Sequence, residues 1–175
     1  MQARPGTYAL ILRSSADPLI EIGKLGKFLI QPGYYVYAGS AFGPGGIKAR
    51  IAHHARISQR PHWHIDYLRS ALLLDEAWYS YDSDQNEHQW ADILTDLKGA
   101  TLPIEGFGAS DCSCKSHLLV FPTRPSVSRF RDRLRSKSNG HGKIFSHKFK
   151  RHPYLFNSVK TGMPAVAEAD CKPAF

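Results

Sequence analysis

The sequence lacks the marks of membrane and secreted proteins. Its apolar runs are too short to span a bilayer, and no apolar signal core follows the first six residues. It contains only three cysteines, Cys112, Cys114 and Cys171. An odd number of cysteines without regular spacing is not typical of a secreted disulfide scaffold. We therefore expect a cytoplasmic protein with reduced thiols and no contact with a membrane.

Acidic residues are scarce in one late segment, although the chain as a whole carries a net charge of +8. Residues 1–123 hold 11 Lys and Arg against 12 Asp and Glu. Residues 124–160 hold 11 Lys and Arg against a single acid, Asp132. Such a basic segment is typical of proteins that bind a polyanion, most often a nucleic acid. The alternative is a solvated tail that only favours solubility.

The charge boundary also predicts the domain organisation. A hydrophobic fraction of 42% supports a packed core, and the length of 175 residues fits one domain with an appendage. We expect a folded domain in residues 1–123 and a basic extension in residues 124–175. The residues of this extension predicted to contact nucleic acid are Arg129, Arg131, Arg133, Arg135, Lys148, Lys150 and Arg151.

Apolar periodicity predicts alternating strands and helices over the first 121 residues. Period-two alternation favours strands, and apolar residues at helical spacing favour helices. The fold class is therefore α/β or α+β, with a small, mostly antiparallel sheet flanked by helices. The predicted strands are 6–12, two pieces within 19–30, 34–39, 76–81 and 112–121. The predicted helices are 46–57, 63–73 and about three turns beginning at Asp84.

Five sequence features, in order, resemble the signature of the GIY-YIG nuclease superfamily. Gly6-Thr7-Tyr8 and Tyr37-Ala38-Gly39 resemble its two halves. Arg50 follows on the next helix, with His54 one turn later, and Glu87 stands near the start of a further helix. The two tripeptides alone would be weak, whereas the ordered set is specific.

The sequences of residues 33–37, 61–68 and 106–112 resemble the Uri-type subgroup, and the likeness covers residues 6 to about 121. Thr7 and Ala38 stand where the family has isoleucine. These positions point away from the tyrosines, so we expect the change to be tolerated. The gap between the two halves is longer than in repair-type members and contains residues 19–30, which leaves the sheet order open.

The resemblance implies an endonuclease that hydrolyses phosphodiester bonds in DNA, with Mg²⁺ or Mn²⁺ and no small-molecule cofactor. A divalent cation polarises a phosphate and acidifies bound water, and Mg²⁺ often takes one protein carboxylate. Glu87 is the expected metal ligand. Arg50 is expected to grip phosphate oxygens with its guanidinium. Tyr8 is the expected general base, since the cation and Arg50 both favour a phenolate, and Tyr37 is expected to position the phosphate or the water.

Several of these assignments have alternatives. Glu87 also fits a capping box with Asp84 at the N-cap. His54 can act as the base in place of Tyr8, or only hydrogen-bond a tyrosine. His53 lies close to His54 in helical angle, and the family spacing alone favours His54.

Two further clusters contain histidine beside cysteine or aspartate. Cys112, Cys114 and His117 suggest zinc, but on a strand the cysteines would face one way and His117 the other, so we expect no zinc site. The segment from His62 to Asp66 fits either a polar rim beside the active face or a helix start with Trp63 packed inside.

Two other functions stay open. One is a nucleic-acid-binding protein that keeps the fold without catalysis, and the other is an RNA-directed protein. For DNA, the sequence does not decide between single-stranded and double-stranded substrates.

Overall fold

A computed structural model describes residues 1–137 and 142–150. In this part of the chain the longest helix has 11 residues, and none is long and apolar enough to cross a membrane. The strands are β1 (Thr7–Ser14), β2 (Leu19–Ile22), β3 (Gly26–Leu29), β4 (Gly33–Ser40), β5 (Leu73–Tyr79), β6 (Leu118–Phe121) and β7 (Phe145–Lys148). The helices are α1 (Gly46–His54), α2 (His64–Arg69), α3 (Glu87–Thr95) and α4 (Val127–Lys137).

Five strands form one antiparallel sheet in the order β6-β4-β1-β5-β7, and β2 and β3 form a separate hairpin. The predicted α+β class with a small antiparallel sheet is confirmed. β1 is central and pairs with β4 on one side and with β5 on the other. The β1–β4 register places Tyr8 opposite Gly39, which brings the two motif halves side by side.

Each face of the sheet carries its own apolar core. Tyr8, Leu10 and Leu12 of β1 belong to the core that also includes residues of α1, α2 and the β2–β3 hairpin. Ala9 and Ile11 belong to the opposite core, which includes residues of α3 and α4. Because helices cover both faces, β1 is buried along almost its whole length.

The fold continues past residue 123, where the sequence predicted a domain boundary. Phe130 and Leu134 of α4 are buried in the core that α3 also covers. β7 pairs with β5 through four residue pairs. The described part of the basic segment is therefore integrated into the same packed unit. Arg151 and the rest of the segment lie outside the described residues.

Several predicted element boundaries are wrong. The helix predicted over 46–57 ends at His54, and the one predicted over 63–73 ends at Arg69, since β5 already begins at Leu73. The strand predicted over 112–121 is only β6, Leu118–Phe121. Most of the segment before it is a loop that folds back on itself, with the amide of Gly106 donating to the carbonyl of Lys115 at 2.7 Å.

Candidate active site

A cleft of about 430 Å³ opens beside the paired ends of β1 and β4. Four of the five predicted catalytic residues line it: Tyr8, Tyr37, Arg50 and Glu87. The fifth, His54, lies directly behind Tyr8 and is only 1% exposed. The structure therefore brings together all five residues, which come from two strands and two helices.

The glycine of the second tripeptide leaves room for the two tyrosines. A Cβ atom at Gly39 would lie 2.7 Å from the hydroxyl oxygen of Tyr8 and 3.1 Å from Cε1 of Tyr37. The first distance is shorter than real Cβ atoms show, and the second is tight enough that the Tyr37 ring would have to shift slightly. Any other residue at position 39 would therefore displace the rings, which explains this glycine physically.

The first tripeptide holds the start of helix α3. The side-chain oxygen of Thr7 accepts a hydrogen bond of 3.1 Å from the backbone amide of Asn86, the N-cap residue of α3. Glu87 is the first residue of that helix. Thr7 stands on the opposite strand face from Tyr8, so one tripeptide fixes both a tyrosine and the helix that carries the carboxylate.

Tyr8 begins a chain of buried polar contacts. Its hydroxyl lies 3.0 Å from Nε2 of His54. Nδ1 of His54 lies 3.4 Å from Oδ1 of Asp66. The other carboxylate oxygen of Asp66 accepts hydrogen bonds of 3.1 Å from the backbone amides of His62 and Trp63. Helix α2 thus supplies a buried carboxylate that orients His54.

The surroundings of these contacts favour a neutral His54 beside an ionised Asp66. Burial lowers the pKa of His54 from its ordinary value, and this outweighs the opposite effect of Asp66. Burial alone would raise the pKa of Asp66, but hydrogen bonds from His54 and from two backbone amides hold that pKa well below its usual range. Geometry assigns the imidazole proton to Nδ1, facing Asp66, which leaves Nε2 to accept the proton of Tyr8.

Tyr8 is more strongly protonated than the sequence suggested. Burial raises the pKa of Tyr8 well above its ordinary value, and the neighbouring Tyr37 adds to the rise. Arg50 lowers this pKa, in the predicted direction, but the effect of burial is larger. Burial likewise raises the pKa of Tyr37 to about 12. At neutral pH Tyr8 can therefore release its proton only to an adjacent acceptor, and His54 is that acceptor.

His53 and His54 have different surroundings despite their similar helical angles. His53 reaches Asp66 through Nε2 at 3.2 Å, and its side chain is 40% exposed. Together with His54 the three residues have the composition of a metal site. However, Asp66 already accepts two backbone amides, and His54 faces Tyr8. The set is better explained as a series of polar contacts than as an ion site.

Arg50 is held by an aromatic ring. Its guanidinium carbon lies 4.1 Å from the centre of the Trp63 ring, a distance typical of cation–π stacking. Trp63 is half-buried and also lines the cleft. The stack fixes the plane of the guanidinium at the cleft wall while its charge stays available to an anion.

Glu87 offers an unsatisfied ligand atom. The residue is 9% exposed, and its Oε2 atom is buried without a hydrogen-bond partner among the described residues. A buried carboxylate oxygen of this kind needs a partner, and a bound cation is one that it can take. The capping box predicted as the alternative is wrong, because the N-cap residue is Asn86 and not Asp84. The donor chemistry of Glu87 fits a divalent cation such as Mg²⁺ or Mn²⁺.

Sequence reasoning underestimated Asp66. It was considered only as part of a polar rim or of a helix start, whereas the structure buries it at 2% exposure. The available signal was its position three residues after Trp63, since an acid at this place commonly receives the first free amides of a helix. His62 and His64 do line the cleft, as the rim interpretation expected.

The predicted nucleic-acid contacts that lie among the described residues do not line the cleft. Helix α4 packs on the sheet face opposite to Tyr8. There Arg131 donates to the carbonyl of Ile144 at 2.8 Å, and Arg133 pairs with Asp96 at 3.3 Å. The remaining predicted contacts among the described residues are exposed: Arg129, Arg135, Lys148 and Lys150.

Residues 7–139 match the family described as the domain of unknown function DUF123. The match covers more than half of the chain, so the chain belongs to this family. It also spans α4, in agreement with the packing of that helix. Searches of curated proteins and of solved structures found no match.

Proposed function

We propose that the protein is a divalent-metal-dependent endonuclease that hydrolyses phosphodiester bonds in DNA. One observation carries the proposal: a proton-accepting chain, a fixed guanidinium and an unpartnered buried carboxylate oxygen meet in a single cleft. Phosphodiester hydrolysis needs these three functions, namely a base, a phosphate-binding cation and a metal ligand. The resemblance to the GIY-YIG nucleases supports the same assignment.

The metal ligand in this proposal is Glu87. When bound, Mg²⁺ or Mn²⁺ would polarise the phosphate and favour the ionisation of water. The protein would supply one carboxylate, as is common for Mg²⁺, while water and phosphate oxygens fill the other positions. The orphaned Oε2 atom is the feature that fits this role.

Proton transfer in this proposal runs from water to Tyr8 and from Tyr8 to His54. As the water oxygen forms its bond to phosphorus, the Tyr8 oxygen takes the water proton and passes its own proton to Nε2 of His54. Asp66 stabilises the resulting imidazolium through the contact at Nδ1. The bond from phosphorus to the leaving alcohol then breaks, and solvent protonates that oxygen. Tyr8 is thus the immediate base, and His54 is what makes it basic.

Phosphate binding in this proposal belongs to Arg50 and Tyr37. The guanidinium can contact two non-bridging oxygens, and its stacking on Trp63 reduces the freedom lost on binding. Tyr37 keeps its proton because burial raises its pKa to about 12, so its hydroxyl acts as a hydrogen-bond donor to the phosphate. A cytoplasmic location is part of the same proposal.

The test is a cleavage assay with the full-length chain. Labelled single-stranded, duplex and branched DNA, and RNA of matched sequence, are incubated with Mg²⁺, Mn²⁺ or EDTA. We expect metal-dependent cleavage of at least one DNA substrate, and activity that elutes together with the protein through successive columns. Cleavage of RNA alone would favour the RNA-directed alternative. Binding of DNA without cleavage under any metal would contradict the proposal.

A further inference from the structure

Four side chains outside the proposed catalytic set converge beside the cleft. Their ligand atoms are two imidazole nitrogens and two thiol sulfurs, and all four lie within 4.8 Å of one another. Nδ1 of His88 is 3.3 Å from Nε2 of His117. Sγ of Cys112 is 3.5 Å from that nitrogen of His117, and Sγ of Cys114 is 3.3 Å from Nδ1 of His88. The residues are His88, Cys112, Cys114 and His117.

These separations match the edges of a zinc tetrahedron. Bonds of about 2.3 Å to sulfur and about 2.0–2.1 Å to nitrogen imply N···N edges of about 3.3–3.4 Å and N···S edges of about 3.6 Å. The observed N···N distance is 3.3 Å, and the two N···S distances are 3.3 and 3.5 Å. These three of the six edges are already close to the tetrahedral values, and the other three ligand pairs lie within 4.8 Å.

Hydrogen bonds alone do not explain the cluster well. The ring nitrogen of His88 faces both His117 and Cys114, and the ring nitrogen of His117 faces both His88 and Cys112. Each nitrogen has either one lone pair or one proton, so it makes one good hydrogen bond in that direction. A cation at the centre uses all four lone pairs at once.

The loop explains why sequence reasoning excluded this site. The two cysteines were placed on a strand, where alternation would turn them away from His117. They lie instead on the loop before β6, which is free of that alternation. The backbone then fixes His117, whose amide donates to the carbonyl of Phe107 at 2.8 Å and whose carbonyl accepts from Ala38 at 2.9 Å.

We propose a zinc site whose four ligands are His88, Cys112, Cys114 and His117. Four protein ligands close the tetrahedron and leave no position for water, so the ion is structural and does not hydrolyse substrate. It joins the loop before β6 to the first turn of α3. His88 follows the proposed metal ligand Glu87 directly, and His117 lines the cleft. The zinc ion therefore fixes one wall of the cleft.

Metal analysis of the purified full-length chain tests the site without any assay of activity. We expect about one zinc ion per chain, as in other closed four-ligand sites. The double variant Cys112→Ser with Cys114→Ser should lose it. The matched control His147→Gln changes an exposed histidine on β7 and should keep it. Glu87→Gln should also keep it, which separates this site from the proposed catalytic metal.

Cobalt spectroscopy of the wild-type chain tests whether the thiolates bind the metal, even where the double variant fails to fold. Protein produced in cobalt-supplemented, zinc-poor medium should show a thiolate-to-cobalt charge-transfer band and the strong visible bands of tetrahedral Co²⁺. His88→Gln should weaken both. Zinc-free protein in which Cys112 and Cys114 both react freely, a disulfide between these two residues, or a cobalt spectrum without a thiolate band would each overturn the proposal.

Discussion

The two faces of the sheet are both covered by helices, yet they bury different kinds of side chain. The face of Tyr8 buries a polar chain that runs through His54 to Asp66. The opposite face buries large apolar rings, among them Trp90 and Phe130, whose centres lie 5.0 Å apart. Burying polar groups costs free energy unless each is paired. The buried polar groups of the first face lie beside the cleft, which points to function, whereas the second face buries mainly apolar side chains and the ion pair of Glu76 with Arg124.

Loss of the carboxylate of Glu87, which the first turn of α3 brings to the cleft, should have the largest effect. Glu87→Gln keeps the size of the side chain and removes the charge, so the proposed cation loses its protein ligand. We expect cleavage to fall by several orders of magnitude, since the metal supplies much of the charge stabilisation. Rates measured under saturating DNA check this, with Glu105→Gln, an exposed acid, as the matched control.

Glu87→Gln should keep its fold and its affinity for DNA. Circular dichroism and binding in the absence of metal establish whether it does. A variant that folds normally and cleaves at the wild-type rate would remove Glu87 from the mechanism.

A smaller loss is expected at Asp66. In Asp66→Asn the amide oxygen is expected to keep the two backbone amides, so the NH₂ group turns toward His54. The proton of His54 then moves to Nε2, which can no longer accept from Tyr8. We expect a loss of about 10- to 100-fold in turnover, typical of removing a group that orients a histidine. An unchanged turnover number would show that Asp66 takes no part in the proton transfer and that His54 acts without it.

The opposite face should respond in stability and not in chemistry. Leu134→Ala removes a buried side chain of α4 and should lower the free energy of unfolding by about 2–5 kcal/mol. Urea denaturation measures this, and cleavage at a temperature where the variant is folded should be unchanged. A variant of native stability, or one that is folded but inactive, would show that the two faces are not separate in this way.

The smallest effect is expected for the exposed arginines of α4. The double substitution of Arg129 and Arg135 by glutamine leaves the buried residues of the helix in place. Each lost phosphate contact should lower the slope of log affinity against log salt by roughly 0.7–0.9. Turnover at saturating DNA should not change, because α4 lies on the face away from the cleft. An unchanged slope would place α4 outside the DNA-binding surface.

The sequence predicts some of these elements and not others. β1 and β4 were predicted because both are apolar runs of strand length, and the cleft residues because their spacing resembles a known signature. In α4, Phe130 and Leu134 stand between arginines, so the basic charge conceals the helical period. β7 is a short edge strand, Phe-Ser-His-Lys, with little apolar content. No local pattern identifies such a strand, because its position depends on pairing with β5.

In the cleft, too, the sequence predicted some of the residues and not others. The resemblance identified Tyr8 and Glu87, but not the buried carboxylate of Asp66 behind His54. That contact joins α1 to α2, and its burial follows from tertiary packing. The effect of burial on the pKa of Tyr8 was likewise missed. A sequence motif shows which charged residues accompany a tyrosine, but it does not show how deeply the tyrosine is buried.

The most direct test of the account is the single-turnover rate of DNA cleavage as a function of pH, at saturating metal, for wild type, Tyr8→Phe and His54→Gln. In the wild type the rate should rise as His54 loses its proton and should be level at neutral pH, because burial lowers the pKa of His54. Tyr8→Phe should lose about 10²–10⁴ in rate with DNA affinity little changed, and His54→Gln should lose the rising limb. A wild-type rate in Tyr8→Phe would contradict the proposed proton transfer through Tyr8.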